Sequence, residues 1–202
     1  MVHLLRYIRD NKNLGLKYYA NINDASVSDL LRQASNKTEN HLMAFYDSNW
    51  KYFPETGRST GACIIFYQGG PIDHVTYVPG QVYQSSVKND YNAACTARMA
   101  LANFRMLINE LLNKDTDIVS KETPLIILDS KSDMCMEKNG KYTKHTRHIA
   151  KIMNLVRNVE KCKMHNIDWC EGGLQLKDIA TNNVGDHYLT PRMKYIMVRL
   201  DN

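Results

Sequence analysis

Residues 84–112, QSSVKNDYNAACTARMALANFRMLINELL, carry the longest periodic run in the chain. Apolar side chains at Ala94, Ala97, Leu101, Phe104, Ile108 and Leu111 follow steps of three and four, which line one face of a helix. One turn back from Ala94 the same stripe meets Asp90, so an acid is predicted on the face that packs on a sheet. A lone buried carboxylate is costly and is normally paired, metal-bound or protonated. A plainer reading stands beside that one: Asp90 lies in the first turn and complements the helix dipole, with Ser85 or Ser86 as the cap.

Other features bound the class of protein. The 202 residues suit one domain, or one domain with an appendage. The chain is 44% hydrophobic and 23% charged, which suits a folded core under a polar surface. No apolar run nears the ~18 residues that cross a bilayer, so no membrane partner is expected. MVHLLRYIRDNKN is too short in its apolar part and too broken by arginine to be a signal peptide. Five cysteines make no disulfide framework; an odd count without a leader predicts a reducing, intracellular setting, cytoplasmic or nuclear.

The net charge of +5 is unevenly spread. Lys138, Lys141, Lys144, Arg147, Lys151, Arg157, Lys161 and Lys163 crowd one stretch, with His145 and His148 among them and Glu160 opposing. Such a run is an electrostatic footprint for a polyanion, or else a solvated helix face.

Along the chain, residues 2–19 read as a short amphipathic helix ending near Gly15, then an extended Leu16–Tyr19. Residues 20–40 are polar and read as a loop, which places a boundary at 40. Leu42–Tyr46 is a short apolar strand ending in Asp47, and SNWKYFPETGRS reads as a polar turn. Thr60–Tyr67 and Ile72–Val78 are strands around the turn Gln68-Gly69-Gly70-Pro71. After the long helix, at about 86–113, Pro124–Leu128 has the unbroken apolar character of a strand buried on both faces. Helices are predicted at 130–138, 143–162 and 174–181, with a strand at Asn166–Cys170 between the last two. The order predicts an α/β domain with a mixed sheet, an antiparallel meander followed by strands reached through helices.

Four acids share a logic of place. Asp47 ends the first strand, Asp129 follows the buried strand, Asp90 begins the inward face of the long helix and Asp178 lies in the last helix. Side chains at strand ends leave the core yet stay fixed by it. Converging carboxylates repel unless cations join them, and oxygen-only ligands select Mg²⁺ or Mn²⁺. Two such ions about 4 Å apart activate water against a phosphodiester. Singly, each acid also reads as a cap or a surface residue. Cys162, His165 and Cys170 have part of a zinc-knuckle pattern but lack a fourth ligand. Tyr83, Ser85 and Ser86 have no His–Asp pattern beside them to make a nucleophile.

The chain resembles the ribonuclease H domain that ends the reverse transcriptase polyprotein of copia-type retrotransposons. LLRYIRDNKNLGLKY is similar to the end of that family's polymerase connection, LRYLKGTKDLGL-Y. FYDSNW resembles YSDADW, GRSTGACIIFYQGGPI resembles RRSTSGYVFFLGGAPI, and QSSVKNDYNA resembles LSSTEAEYIA. ILDSKSDMCM, HTRHIA and LQLKDIATN match LYCDNQSAI, RTKHID and QLADIFTK in the same order. The resemblance implies a ribonuclease H-like fold with a five-stranded sheet over residues 41–202, and a remnant of the connection over 1–40. It implies two-metal hydrolysis of the RNA strand of RNA–DNA hybrids, with Asp47, Asp90, Asp129 and Asp178 as catalytic and metal-binding acids. Lys141, Lys144, Arg147, His148 and Lys151 would then lie near the hybrid's backbone, and a polymerase domain absent from this chain would be a partner.

Several positions depart from the pattern. Asp90 stands where the family has Glu, Lys88 where it has an acid, Asn49 for the second Asp of YSDADW, Ala150 for the Asp of RTKHID, and Asn182 for the closing Lys. Asp90 is one methylene short, which predicts impaired activity; the alternative reading is a catalytically impaired relic that only binds nucleic acid. The N-terminal match predicts that the chain is a fragment of a larger element.

Overall fold

The computed structural model describes residues 9–20, 24, 29, 41–53, 55–82, 85–111, 123–128, 154, 165–171, 175–176 and 195–199. The predicted helices at 130–138, 143–162 and 174–181, and the basic cluster, lie outside them apart from Asn154, Gln175 and Leu176. In chain order the elements are β1 (Leu14–Leu16), β2 (Leu42–Phe53), β3 (Arg58–Tyr67), β4 (Gly70–Tyr77), α1 (Ser86–Leu111), β5 (Leu125–Leu128), β6 (Asn166–Trp169) and β7 (Met197–Arg199).

Five strands form one sheet in the order β4-β3-β2-β5-β6. β2, β3 and β4 are joined antiparallel, and β5 and β6 run parallel to β2. This is the mixed α/β sheet that the strand order predicted: local hairpins first, then a parallel strand that only a helical crossover can reach. The β3–β4 hairpin closes on Gln68 (φ 53°) and Gly69 (φ 74°), two consecutive left-handed residues as a type I′ turn requires. Gly70 and Pro71 belong to β4; an edge strand tolerates the missing N–H of proline.

Side chains alternate across β2 and split the interior into two clusters. Met43 and Phe45 join Ile64, Phe66, Leu125, Ile127, Cys170, Leu176 and Tyr195 on one face. Leu42, Ala44 and Tyr46 join Cys63, Ile65, Ile126, Leu128 and Ile167 on the other, where α1 packs. On α1 the expected stripe is buried at Ala94, Ala97, Leu101 and Ile108, with Phe104 partly covered. Leu111 departs from it: at the last helical position it has run past the sheet and is 72% exposed. Burial and the nearby charge of Asp73 push the Cys63 thiol up to about 11, so it stays protonated and inert.

Two boundaries differ from the sequence reading. β2 does not stop at Asp47 but runs on to Phe53, and SNWKYF, expected as a turn, is strand. The hairpin partner accounts for this, because Ser48 and Asn49 pair with Gly61 and Thr60, and Phe53 with Arg58 across a register shift. Residues 14–16, with Gly15 among them, are strand rather than the end of a helix. β1 pairs antiparallel with β7 near the far end of the chain, and Lys17 N–H donates to Ile196 O (3.2 Å). Tyr19 and Ile196 pack on the same core cluster as Tyr195. Gly70 leaves room for this segment, since a Cβ there would lie 2.6 Å from the Tyr18 ring.

Candidate active site

Asp47 sits in the middle of β2, opposite Ala62 of β3. The alternation of the strand places it on the face of Met43 and Phe45, away from α1, and it is half-buried. Ser48, the next residue, faces α1. Its hydroxyl donates to Oδ1 of Asp90 across 42 residues of sequence. Asp90 is half-buried, like Asp47. The two acids therefore reach β2 at neighbouring positions but on opposite faces of the sheet, Asp47 on the strand itself and Asp90 from α1 through the Ser48 hydroxyl.

The start of α1 fixes Asp90. Ser85 caps the helix, its Oγ accepting from Lys88 N–H (3.3 Å), while Asn89 N–H bonds Ser85 O (3.4 Å). The helix begins at Ser86, so Asp90 falls beyond the first turn, which holds no acid. The plainer reading of Asp90 as a dipole-complementing residue of the first turn is therefore not the geometry found.

β5 comes to β2 in parallel register, with Met43 beside Leu125, Ala44 beside Ile126 and Phe45 beside Ile127. Buried Gln175, three residues before Asp178 in sequence, donates its side-chain amide to Ile127 O (3.5 Å), two residues before Asp129. Leu176 packs in the same cluster as Ile127. Asp129, Asp178, Lys141, Lys144, Arg147, His148 and Lys151 themselves lie outside the described residues.

Ser48 and Gln175 were not among the residues singled out from sequence. A signal for each exists. Alternation from Tyr46 assigns Ser48 to the α1 face once β2 is allowed to continue, and Gln175 is the polar residue between two leucines in LQL.

Half-buried Asp47 and Asp90 offer oxygen donors of the kind Mg²⁺ and Mn²⁺ take. Among the described residues no three His, Cys, Asp or Glu side chains gather. His165 is engaged elsewhere: its Nε2 accepts from Arg98 Nε–H (2.8 Å), with both residues buried. Burial, helped by the Arg98 charge, holds its pKa down at about 3, so the ring is neutral. No helix among the described residues is long and apolar enough to cross a membrane.

No protein-family model matches the chain. No curated protein matches it either. Among solved structures it is similar to the N-terminal ribonuclease H domain of a Mycobacterium tuberculosis protein, solved as a fusion with maltose binding protein (11% identity, TM-score 0.47, covering 74% of this chain and 96% of that one). It is also similar to ribonuclease H1 of the halophilic archaeon Halobacterium salinarum (14%, TM-score 0.48, 70% and 94%). A third likeness is to a ribonuclease H1 isolated from compost by a metagenomic approach (10%, TM-score 0.48, 78% and 93%).

Proposed function

We propose that the chain is a metal-dependent endonuclease of ribonuclease H type, hydrolysing the RNA strand of RNA–DNA hybrids, and that it derives from a copia-type retroelement polyprotein. The observation that carries this reading is the β2–β5 register. It brings Phe45 and Ile127 side by side, each two residues before Asp47 and Asp129 in sequence, which supports taking the two acids as members of one site. The hydrogen bond from Gln175 to Ile127 O supports bringing the LQLKDIATN motif, and with it Asp178, to the same strand end.

In this reading Asp47, Asp90, Asp129 and Asp178 hold two Mg²⁺ or Mn²⁺ ions. When bound, such ions supply an activated water and stabilise the leaving oxygen of the cut phosphodiester. The chain's own part is positioning. β2 fixes Asp47 through its pairing with β3 and β5, α1 carries Asp90, and Ser48 orients the Asp90 carboxylate by taking one of its oxygens. Lys141, Lys144, Arg147, His148 and Lys151 serve as phosphate contacts on the hybrid, which is read by shape and not by sequence. Residues 1–40 correspond to the tail of a polymerase connection and 41–202 to the nuclease domain, with a polymerase domain as the partner.

The test is Mg²⁺- or Mn²⁺-dependent cutting of a labelled RNA–DNA hybrid, with Asp129→Asn as the control that removes cutting. A count of bound Mn²⁺ that falls in Asp47→Asn and in Asp129→Asn checks the site independently of turnover.

A further inference from the structure

Asn49 shares a face of β2 with Asp47, two residues and about 6.6 Å further along the strand. It is half-buried, like Asp47, and it pairs with Thr60 of β3 as Asp47 pairs with Ala62. Directly opposed residues of an antiparallel pair lie on one face with Cβ atoms about 4.5–5.5 Å apart, so Asp47, Asn49, Ala62 and Thr60 form one patch. The patch continues the face of Met43, Phe45, Ile64 and Phe66 beyond the point where the apolar core stops. Thr60 is 6% exposed, and its hydroxyl has no hydrogen-bond partner among the described residues. The β2–β3 ladder is regular from Leu42 to Asn49 and shifts register beyond it. Such irregularities re-aim side chains and gather beside active sites.

We infer that Asn49 is a specificity-determining residue of the nuclease centre, its amide taking a ribose 2′-hydroxyl of the RNA strand beside Asp47, with Thr60 as its positioning residue. The inference rests on the nuclease reading above. A 2′-hydroxyl both donates and accepts, and it is the group that tells RNA from DNA. An amide side chain has a donor and an acceptor to match it. The carboxylate that the similar motif YSDADW carries at this position only accepts, and it repels the phosphates on either side. One end of the amide meets the ribose and the other meets the Thr60 hydroxyl, which gains a partner. The contact that Asn49 makes in the free chain is exchanged for these.

The test measures binding of the full chain to an RNA–DNA hybrid and to the DNA duplex of the same sequence, by fluorescence anisotropy in EDTA, where no cutting intervenes. The natural chain should prefer the hybrid. Asn49→Ala should lower that preference roughly tenfold through the loss of one hydrogen bond. Asn49→Asp should lower it as much while weakening both duplexes. Thr60→Val keeps the side-chain shape and removes only the unpartnered hydroxyl. It should lower the preference about threefold, with a thermal midpoint no lower than the natural chain's. A natural chain without preference, or a preference kept in both Asn49 variants, would overturn the inference; a preference unchanged in Thr60→Val would overturn the positioning role. Metal-dependent cutting is scored separately on the same proteins. Cutting with the preference kept in the Asn49 variants sinks this inference and leaves the nuclease reading standing. A preference lost in those variants of a chain that cuts nothing sinks the nuclease reading and leaves the ribose contact.

Discussion

Ser48 on β2 donates its hydroxyl hydrogen to the Asp90 carboxylate on α1, tying the helix to the strand one residue from Asp47. In the motifs that the chain resembles, the paired positions read Ala and Glu; here they read Ser and Asp. The hydroxyl gives the shorter carboxylate a fixed partner. Such a bond to a charged group contributes about 1.5–3 kcal/mol.

The pair should respond as a unit. Asp90→Glu alone crowds Ser48 and should lower both stability and hybrid cleavage. Ser48→Ala alone leaves Asp90 short and unheld, and should also slow cleavage. Together they recreate the pair found in the motifs that the chain resembles, and the cleavage rate should rise on the order of tenfold over the natural chain, since a 1 Å misplacement costs about 100-fold. Single-turnover rates of the four proteins form the cycle that checks this.

His165 sets an acid limit on stability. Its folded pKa, about 3, lies below the ordinary value of 6.5, so the unfolded chain binds the extra proton. Stability from this group is full above about pH 6.5 and is lost as pH falls toward 3, at up to about 1.4 kcal/mol per unit. His165→Gln keeps an acceptor for Arg98 but cannot titrate. Urea unfolding of both proteins between pH 7 and pH 4 should show a shallower slope for the glutamine variant.

Phe45 and Phe66 meet edge to face, with centroids 5.6 Å apart and planes at 74°, and both are fully buried. Phe45→Ala removes that pair from beneath Asp47's own strand and should cost about 3–5 kcal/mol. Denaturant midpoints with an unchanged slope would measure it.

Leu14–Leu16 and Met197–Arg199 are joined across the length of the chain as β1 and β7. Removing residues 1–19 deletes that pairing and uncovers Tyr195 and Ile196, which share a core cluster with Tyr19. Thermal melting should fall by several degrees, with the backbone amides of Met197–Arg199 losing protection from hydrogen exchange. An unchanged melt would make the segment a dispensable appendage.

Where the sequence was readable, a periodicity long enough to register made it so. The α1 stripe, the LIIL strand and the hairpin at Gln68-Gly69 each announce themselves within one short stretch of sequence. β2 was read short because Ser48 to Phe53 mixes polar and aromatic residues, and only the partner strand β3 makes it a strand. β1 and β7 are three residues each and about 180 apart in sequence, too short for periodicity to mark and too distant for turn chemistry to join. For the site, the chain announced which acids to consider, but not that Ser48 would hold Asp90. That is a contact between elements, and no local pattern encodes it.

The most direct measurement is cleavage of an RNA–DNA hybrid, labelled on the RNA strand, by the folded natural chain with Mg²⁺ or Mn²⁺ beside Asp47→Asn. Metal-dependent cutting of the RNA strand that disappears in Asp47→Asn is the predicted result. No cutting by folded natural chain, or cutting that survives in Asp47→Asn, would contradict it.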